Sequence, residues 1–148
     1  MYNNGVQSYR KISVITADPG KLILMCYEGA IDQLKIVKQK YEEKDYVGKC
    51  KALQKAIDFI DELLCSLNFE KGGAIAKNLS ELYKYMNTKI LQADINKDIG
   101  GFDEVIGILS ELLSAWEEII NGQRKKIQPG SIELDRERMR QASNYMSA

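Results

Sequence analysis

The side chains able to do chemistry are few. The chain has three cysteines, Cys26, Cys50 and Cys65, and no histidine. Without histidine, neither a Ser-His-Asp nor a Cys-His nucleophile system can be built. Histidine phosphotransfer and histidine-held haem are excluded, and so are the Glu-x-x-His pairs of di-iron bundles. The cysteines are odd in number and form no CxxC pair, and no histidine completes a zinc set. Each cysteine falls within a helical pattern among apolar neighbours, so all three read as reduced core residues. No GxxxxGKS/T or GxGxxG loop cradles a phosphate. An enzyme would have to work on carboxylates alone, and nothing nominates a pair. No metal and no cofactor is expected.

Composition points away from nucleic acid and membrane. Lys+Arg and Asp+Glu are 21 each in 148 residues, so no global field steers the chain to either partner. The basic run Arg124-Lys125-Lys126 reads as a solvated helix end, favourable near a C-terminal dipole. The longest apolar run, Leu22 to Tyr27, is far too short to cross a bilayer. The start, MYNNGVQSYRK, has no basic segment followed by an apolar block. A cytoplasmic location is expected.

The elements that position these residues are helices. Leu, Ile, Lys and Glu are abundant and prolines number only two. Asp18 suits an N-cap and Pro19 the first helical position, so a first helix is predicted over about 19–44. Asp45 caps a second over about 46–67. Its apolar side carries Leu53, Ala56, Ile57, Ile60, Leu63, Leu64 and Leu67. Lys51, Lys55, Asp58, Asp61 and Glu62 take the other side. Gly72 and Gly73 turn the chain into a third helix, about 73–96. A second glycine pair precedes a fourth, about 102–121, with a stripe from Val105 to Ile120 that includes Trp116. Short connections between long helices imply an all-α, antiparallel up-down four-helix bundle over residues 1–122. An arm, residues 1–17, carries Val6, Tyr9 and Ile12. A polar tail, residues 123–148, carries Ile132, Met139 and Met146 at seven-residue spacing. It is either a weak fifth helix or a segment that orders on contact.

The first predicted helix has more apolar surface than a bundle needs. At about 100° per residue, Leu22, Ile23, Met25, Cys26, Ala30, Leu34, Ile36 and Val37 fill a core face. Leu24 and Ile31 then lie near the opposite side, with Tyr27 beside them. Either the arm or tail covers this second stripe, or it is a groove for another apolar helix. On the third helix Ile75, Leu79, Leu82, Met86 and Ile90 face inward. Tyr83 sits at the stripe's edge and Tyr85 on the other flank, where an aromatic ring with a polar tip suits a half-wet surface.

Several separated stretches match a known pattern in order. They are Tyr9 in the arm, VITADPGKL from Val14 to Leu22, and LMCYEGAI from Leu24 to Ile31. KAIDFIDEL from Lys55 to Leu63 and SLN from Ser66 to Asn68 follow. GGAIAKNLSELY from Gly72 to Tyr83 is the most specific, and Ala115-Trp116 closes the set. Over about residues 2–120 the chain resembles the FliS family of flagellin-specific secretion chaperones. The resemblance implies a helical bundle without enzymatic activity. It implies binding of the disordered C-terminal segment of flagellin in the cytosol, which prevents premature polymerisation. It also implies delivery to the export gate of the flagellar secretion apparatus, and an arm able to change place. Ala74 stands where the family usually has a polar residue, and the tail is longer than the motifs need. Pro19, Gly72, Gly73 and Asn78 read as turn and packing residues. Val6, Tyr9, Leu24, Tyr27, Ile31 and Tyr83 are the expected client contacts. The rival reading is a non-enzymatic adaptor that self-associates, as a homodimer, through the same stripe.

Overall fold

The structure, a computed structural model, describes residues 19–124, the side chains of residues 123 and 124 excepted. Four helices follow one another: α1 Pro19–Glu43, α2 Tyr46–Cys65, α3 Phe69–Asn96 and α4 Ile99–Arg124. The arm residues Val6 and Tyr9, and the tail with Ile132, Met139 and Met146, lie outside the described residues.

The connections are short, so consecutive helices run antiparallel. Among the described residues α1 packs on α2, α2 on α3, α3 on α4 and α4 on α1, with no backbone approach across either diagonal. The cross-section is therefore a square. The start of α1, the end of α2, the start of α3 and the end of α4 share one end of the bundle.

Local chemistry sets the helix limits. Asp45 caps α2 by accepting a hydrogen bond from the Gly48 N–H at 2.9 Å, and Asn68 caps α3 by accepting from the Lys71 N–H at 2.9 Å. The left-handed residues after α1 and α3 are Lys44 and Lys97, with φ of 58° and 53°, rather than glycines. Helix α3 begins four residues earlier than the glycine pair predicts. Its first turn, from Phe69, is broken at Gly73, whose φ of 51° and ψ of −125° are essentially closed to a residue with a Cβ. Helix α4 likewise starts at Ile99, ahead of its own glycine pair.

One hydrophobic core runs through the square. Helices α1 and α2 meet closely because Gly29 has no side chain: a Cβ there would stand 2.6 Å from Phe59 Cζ. Phe59, absent from the predicted stripe of the second helix, fills that space and is buried. Asp58 also departs from expectation. It is only 5% exposed, with Oδ1 accepting from Gln54 Nε2 at 3.0 Å and Oδ2 unpartnered. Burial holds its carboxyl above the usual range. Of the cysteines, Cys26 is buried, but Cys50 and Cys65 are exposed. Cys65 lies nine residues after the core residue Ala56, half a turn out of phase at about 100° per residue.

The surplus stripe expected on the first helix is core instead. Tyr27 is 0% exposed and Ile31 is buried; only Leu24 is half-exposed. A helix at a corner of a square touches two neighbours, so its apolar arc must be wider than one face. Ile31 shares its side of α1 with Lys38, seven residues on, and Lys38 pairs with Asp103 of α4 at 2.5 Å. That side is the α1–α4 seam. Tyr83, expected at a half-wet edge, is 1% exposed. Tyr85 is the half-wet tyrosine, donating to Glu104 Oε2 of α4 at 2.6 Å.

Near the other end of the square, Tyr41 of α1 reaches across the diagonal. Its hydroxyl donates to the Asp94 carboxylate, and Lys49 of α2 pairs with the same Oδ1 at 2.8 Å. Burial and the carboxylate push the Tyr41 hydroxyl up to about 12. Burial opposes ionisation of Asp94, but hydrogen bonds from Lys49 and Tyr41 outweigh it and hold the carboxyl below its ordinary 3.8.

Two predictions follow from this packing. Gly29→Ala should cost about 1–3 kcal/mol of stability in urea melts, because the methyl overlaps the Phe59 ring. In a Phe59→Leu background the same change should cost less. Asp94→Asn should lower the urea midpoint at neutral pH. Because the folded pKa of Asp94 is depressed, its contribution is present above the unfolded value and is lost as pH falls through the folded one. The gap between wild type and variant should therefore close as pH drops below 3.8.

Candidate binding groove

A cavity of about 570 Å³ opens where the four helix ends meet. Ile23 comes from α1, Leu63 from the end of α2, Leu67 from the turn after it, Ile75, Leu79 and Tyr83 from α3, and Trp116 from α4. Leu63, Leu79 and Tyr83 are buried and form its floor. Leu67, Ile75, Ile23 and Trp116 are half-buried and form its sides, and Asn68 and Lys71 stand exposed at the rim. The concavity has a local cause. Helix α2 ends at Cys65, so Leu67 projects from a turn rather than a helix. The break at Gly73 then sets the first turn of α3, with Asn68 and Lys71, apart from the main helix that carries Ile75.

Two walls are joined behind the groove by a polar cluster. The Tyr27 and Tyr83 hydroxyls are 2.5 Å apart, and Trp116 Nε1 donates to Tyr27 Oη at 3.0 Å. The two phenol rings sit 6.3 Å apart, tilted at 57°. Burial pushes the Tyr27 hydroxyl well above the usual tyrosine range, and the neighbouring Tyr83 adds to that. Burial does the same to Tyr83, against hydrogen bonds from Tyr27 and Trp116. Both therefore keep their protons.

The structure distributes the six expected contacts unevenly. Tyr83 lines the groove, but as floor rather than edge. Tyr27 stands behind it. Ile31 is in the α1–α4 seam, and Leu24, on the same side of α1, is outside the groove lining. Val6 and Tyr9 lie outside the described residues. Ile23, Leu67, Ile75 and Trp116 are the side-wall residues that pattern reading assigned to the core. A signal for them existed: Leu67, Ile75 and Trp116 fall in the SLN, GGAIAKNLSELY and Ala115-Trp116 stretches.

The arrangement suits binding rather than catalysis. The lining is apolar, with a wet rim and a single rim cation, Lys71, which fits an amphipathic segment laid into a groove. Among the described residues no cluster of His, Cys, Asp and Glu could hold a metal, and no helix is long and apolar enough to cross a membrane.

Known proteins give this groove its context. A family model described as flagellar protein FliS matches residues 1–123. The chain is similar to the flagellar secretion chaperone FliS of Salmonella typhimurium, with 42% identity over 121 residues, covering 78% of this chain and 90% of the relative. It is 39% identical to the Vibrio cholerae protein of that name over 118 residues, 77% of this chain and 87% of the relative. The Bacillus subtilis one is 34% identical over 122 residues, 82% and 90%. A match of this extent places the chain in the FliS family of flagellar proteins.

Proposed function

We propose that this protein is a cytosolic, non-enzymatic export chaperone for flagellin. Its groove takes the disordered C-terminal segment of the client, which folds as it binds and cannot then use the same side chains to polymerise. The complex passes to the export gate of the flagellar secretion apparatus. The observation that carries the reading is an apolar groove of about 570 Å³ on a chain of the FliS family.

The energetics suit reversible masking. Burying about four large apolar side chains contributes roughly 6–12 kcal/mol gross. Ordering the client takes back about 2–5 kcal/mol. The remainder, about 1–10 kcal/mol, reaches micromolar binding at its upper end.

Ile23, Leu67, Ile75 and Trp116 contact the client, and Leu24 extends the contact along α1. Tyr83 meets it at the floor. Tyr27 and Ile31 act from behind, holding Tyr83 and the α4 wall in place. Val6 and Tyr9 are the arm's contacts with the client in this reading. Self-association is the second reading, drawn from the opposite end of the bundle. There Val47 and Ile95 are 70% and 79% exposed, with Tyr46 and Leu91 also in solvent. A client-free dimer in sedimentation, unmoved by added flagellin, would favour it.

Calorimetric titration of the full chain with a peptide of flagellin's C-terminal segment should give saturable one-to-one binding with a negative heat-capacity change. Absence of binding at high micromolar peptide would remove the flagellin assignment. Ile75→Asp should keep the fold, since the side chain is at the groove's side, and weaken that peptide at least about 10-fold by placing a carboxylate against the client. Leu24→Asp should weaken it less. Unchanged affinity in Ile75→Asp would take the client out of this groove.

A further inference from the structure

Among the described residues six large apolar side chains stand exposed, and four of them gather at the end of the bundle away from the groove. Tyr46 and Val47 open α2, and Leu91 and Ile95 lie in the last turns of α3. Their exposures run from 48% to 79%. They share the outer side of the α2–α3 seam. Asn87 Nδ2 donates to Asp61 Oδ1 across that side at 2.8 Å. Leu91 and Ile95 follow Asn87 by four and eight residues, and exposed Cys50 and Val47 precede Asp61 by eleven and fourteen, so all continue one stripe. Tyr46 adjoins it and meets Tyr41 edge-on, with ring centroids 6.2 Å apart. The less exposed pair Lys49–Asp94, at 2.8 Å, ties α2 to α3 at this level. Two apolar ridges on antiparallel helices fit the apolar face of a further helix.

The rim gives that helix its charge. Lys51 stands one turn beyond Val47, Lys97 two residues past Ile95, and Lys44 two before Tyr46; all three are exposed. Among the described residues no carboxylate pairs with any of them, while Glu43 and Asp45 pair with Lys40 and Asp94 with Lys49. Asp98, beside Lys97, is the one exposed carboxylate next to the patch without such a pairing. A two-fold copy of this chain would set this excess of cations against itself. Anionic lipid recognition takes clusters of about four to eight basic residues, more than border this patch.

We infer that this patch docks an acidic amphipathic helix of another protein, its apolar face on Val47, Leu91 and Ile95 and its carboxylates toward Lys44, Lys51 and Lys97. Val47 and the groove residue Leu63 are 16 positions apart on α2, about 24 Å. Helix and groove occupant therefore bind together, and the inference stands apart from the identity of the groove's client.

The probe is a synthetic helical peptide with leucines on one face and glutamates on the others, alongside an analogue with lysine for every glutamate. In amide NMR of the full chain, the glutamate peptide should move the signals of residues 46–51 and 91–97, with or without flagellin's C-terminal peptide in the groove. The lysine analogue should bind at least about 10-fold more weakly. Val47→Ser with Ile95→Ser should melt like wild type, since both side chains are exposed, and weaken the glutamate peptide about 10-fold or more. Lys51→Glu with Lys97→Glu should invert the preference between the two peptides. Equal binding of both peptides, shifts confined to the groove, or no shifts at high micromolar peptide overturns the inference. Displacement by the flagellin peptide also overturns it and gives the patch to the client. A client-free dimer broken by Ile95→Ser overturns it in favour of a second copy. Phosphatidylglycerol vesicles bound by wild type but not by Val47→Ser with Ile95→Ser overturn it in favour of a membrane. If the flagellin peptide binds nowhere, the client reading falls, and the shifts at the far end still decide this one.

Discussion

Two polar contacts cross the diagonal of the bundle, and the arrangement of the helices depends on them. Tyr27 of α1 meets Tyr83 of α3 at one level, and Tyr41 of α1 meets Asp94 of α3 at another. The apolar core around them is non-directional and tolerates sliding. A buried hydroxyl does not, because its partner must lie within hydrogen-bond distance or its desolvation goes uncompensated. Each contact also recruits a third helix: Trp116 of α4 donates to Tyr27, and Lys49 of α2 pairs with Asp94. All four helices are thereby held in one register by two small clusters.

The groove is a consequence of that register. Helix α2 ends short, the chain turns through Leu67 and Asn68, and Gly73 breaks the entry into α3. Trp116, which lines the resulting gap, is anchored by its hydrogen bond to Tyr27. An apolar cavity persists there because the elements around it are fixed by interactions elsewhere. A chaperone needs this combination: a stable frame, and one apolar surface left for a client rather than for the protein's own core.

Amphipathic periodicity made the four helices and their up-down order legible from residues alone, and residue type did the same for the cap at Asp45; the cap at Asn68 emerged only from the structure. The surface stripe on the first helix was misread for a geometric reason. A helical wheel counts apolar arc, but it does not say how many neighbours the arc faces. Ile31 and Tyr27 look superfluous against one partner and are required against two. Asp58 and Phe59 were misplaced because a single buried carboxylate or a ring facing a glycine depends on what stands opposite, here Gly29 for Phe59.

Sequence by itself determined the helical class, the absence of histidine chemistry, the segment order and, through its motifs, the family. These rest on local spacing and residue type, which need no knowledge of distant contacts. Tertiary structure alone decided where the open surface lies. Ile23, Leu67, Ile75 and Trp116 are separated by up to 93 positions and converge only because four helix ends share one end of a square. The pairing of Tyr27 with Tyr83, 56 residues apart, was likewise invisible beforehand. Periodicity can place each of them on a face, but only packing brings the two hydroxyls together.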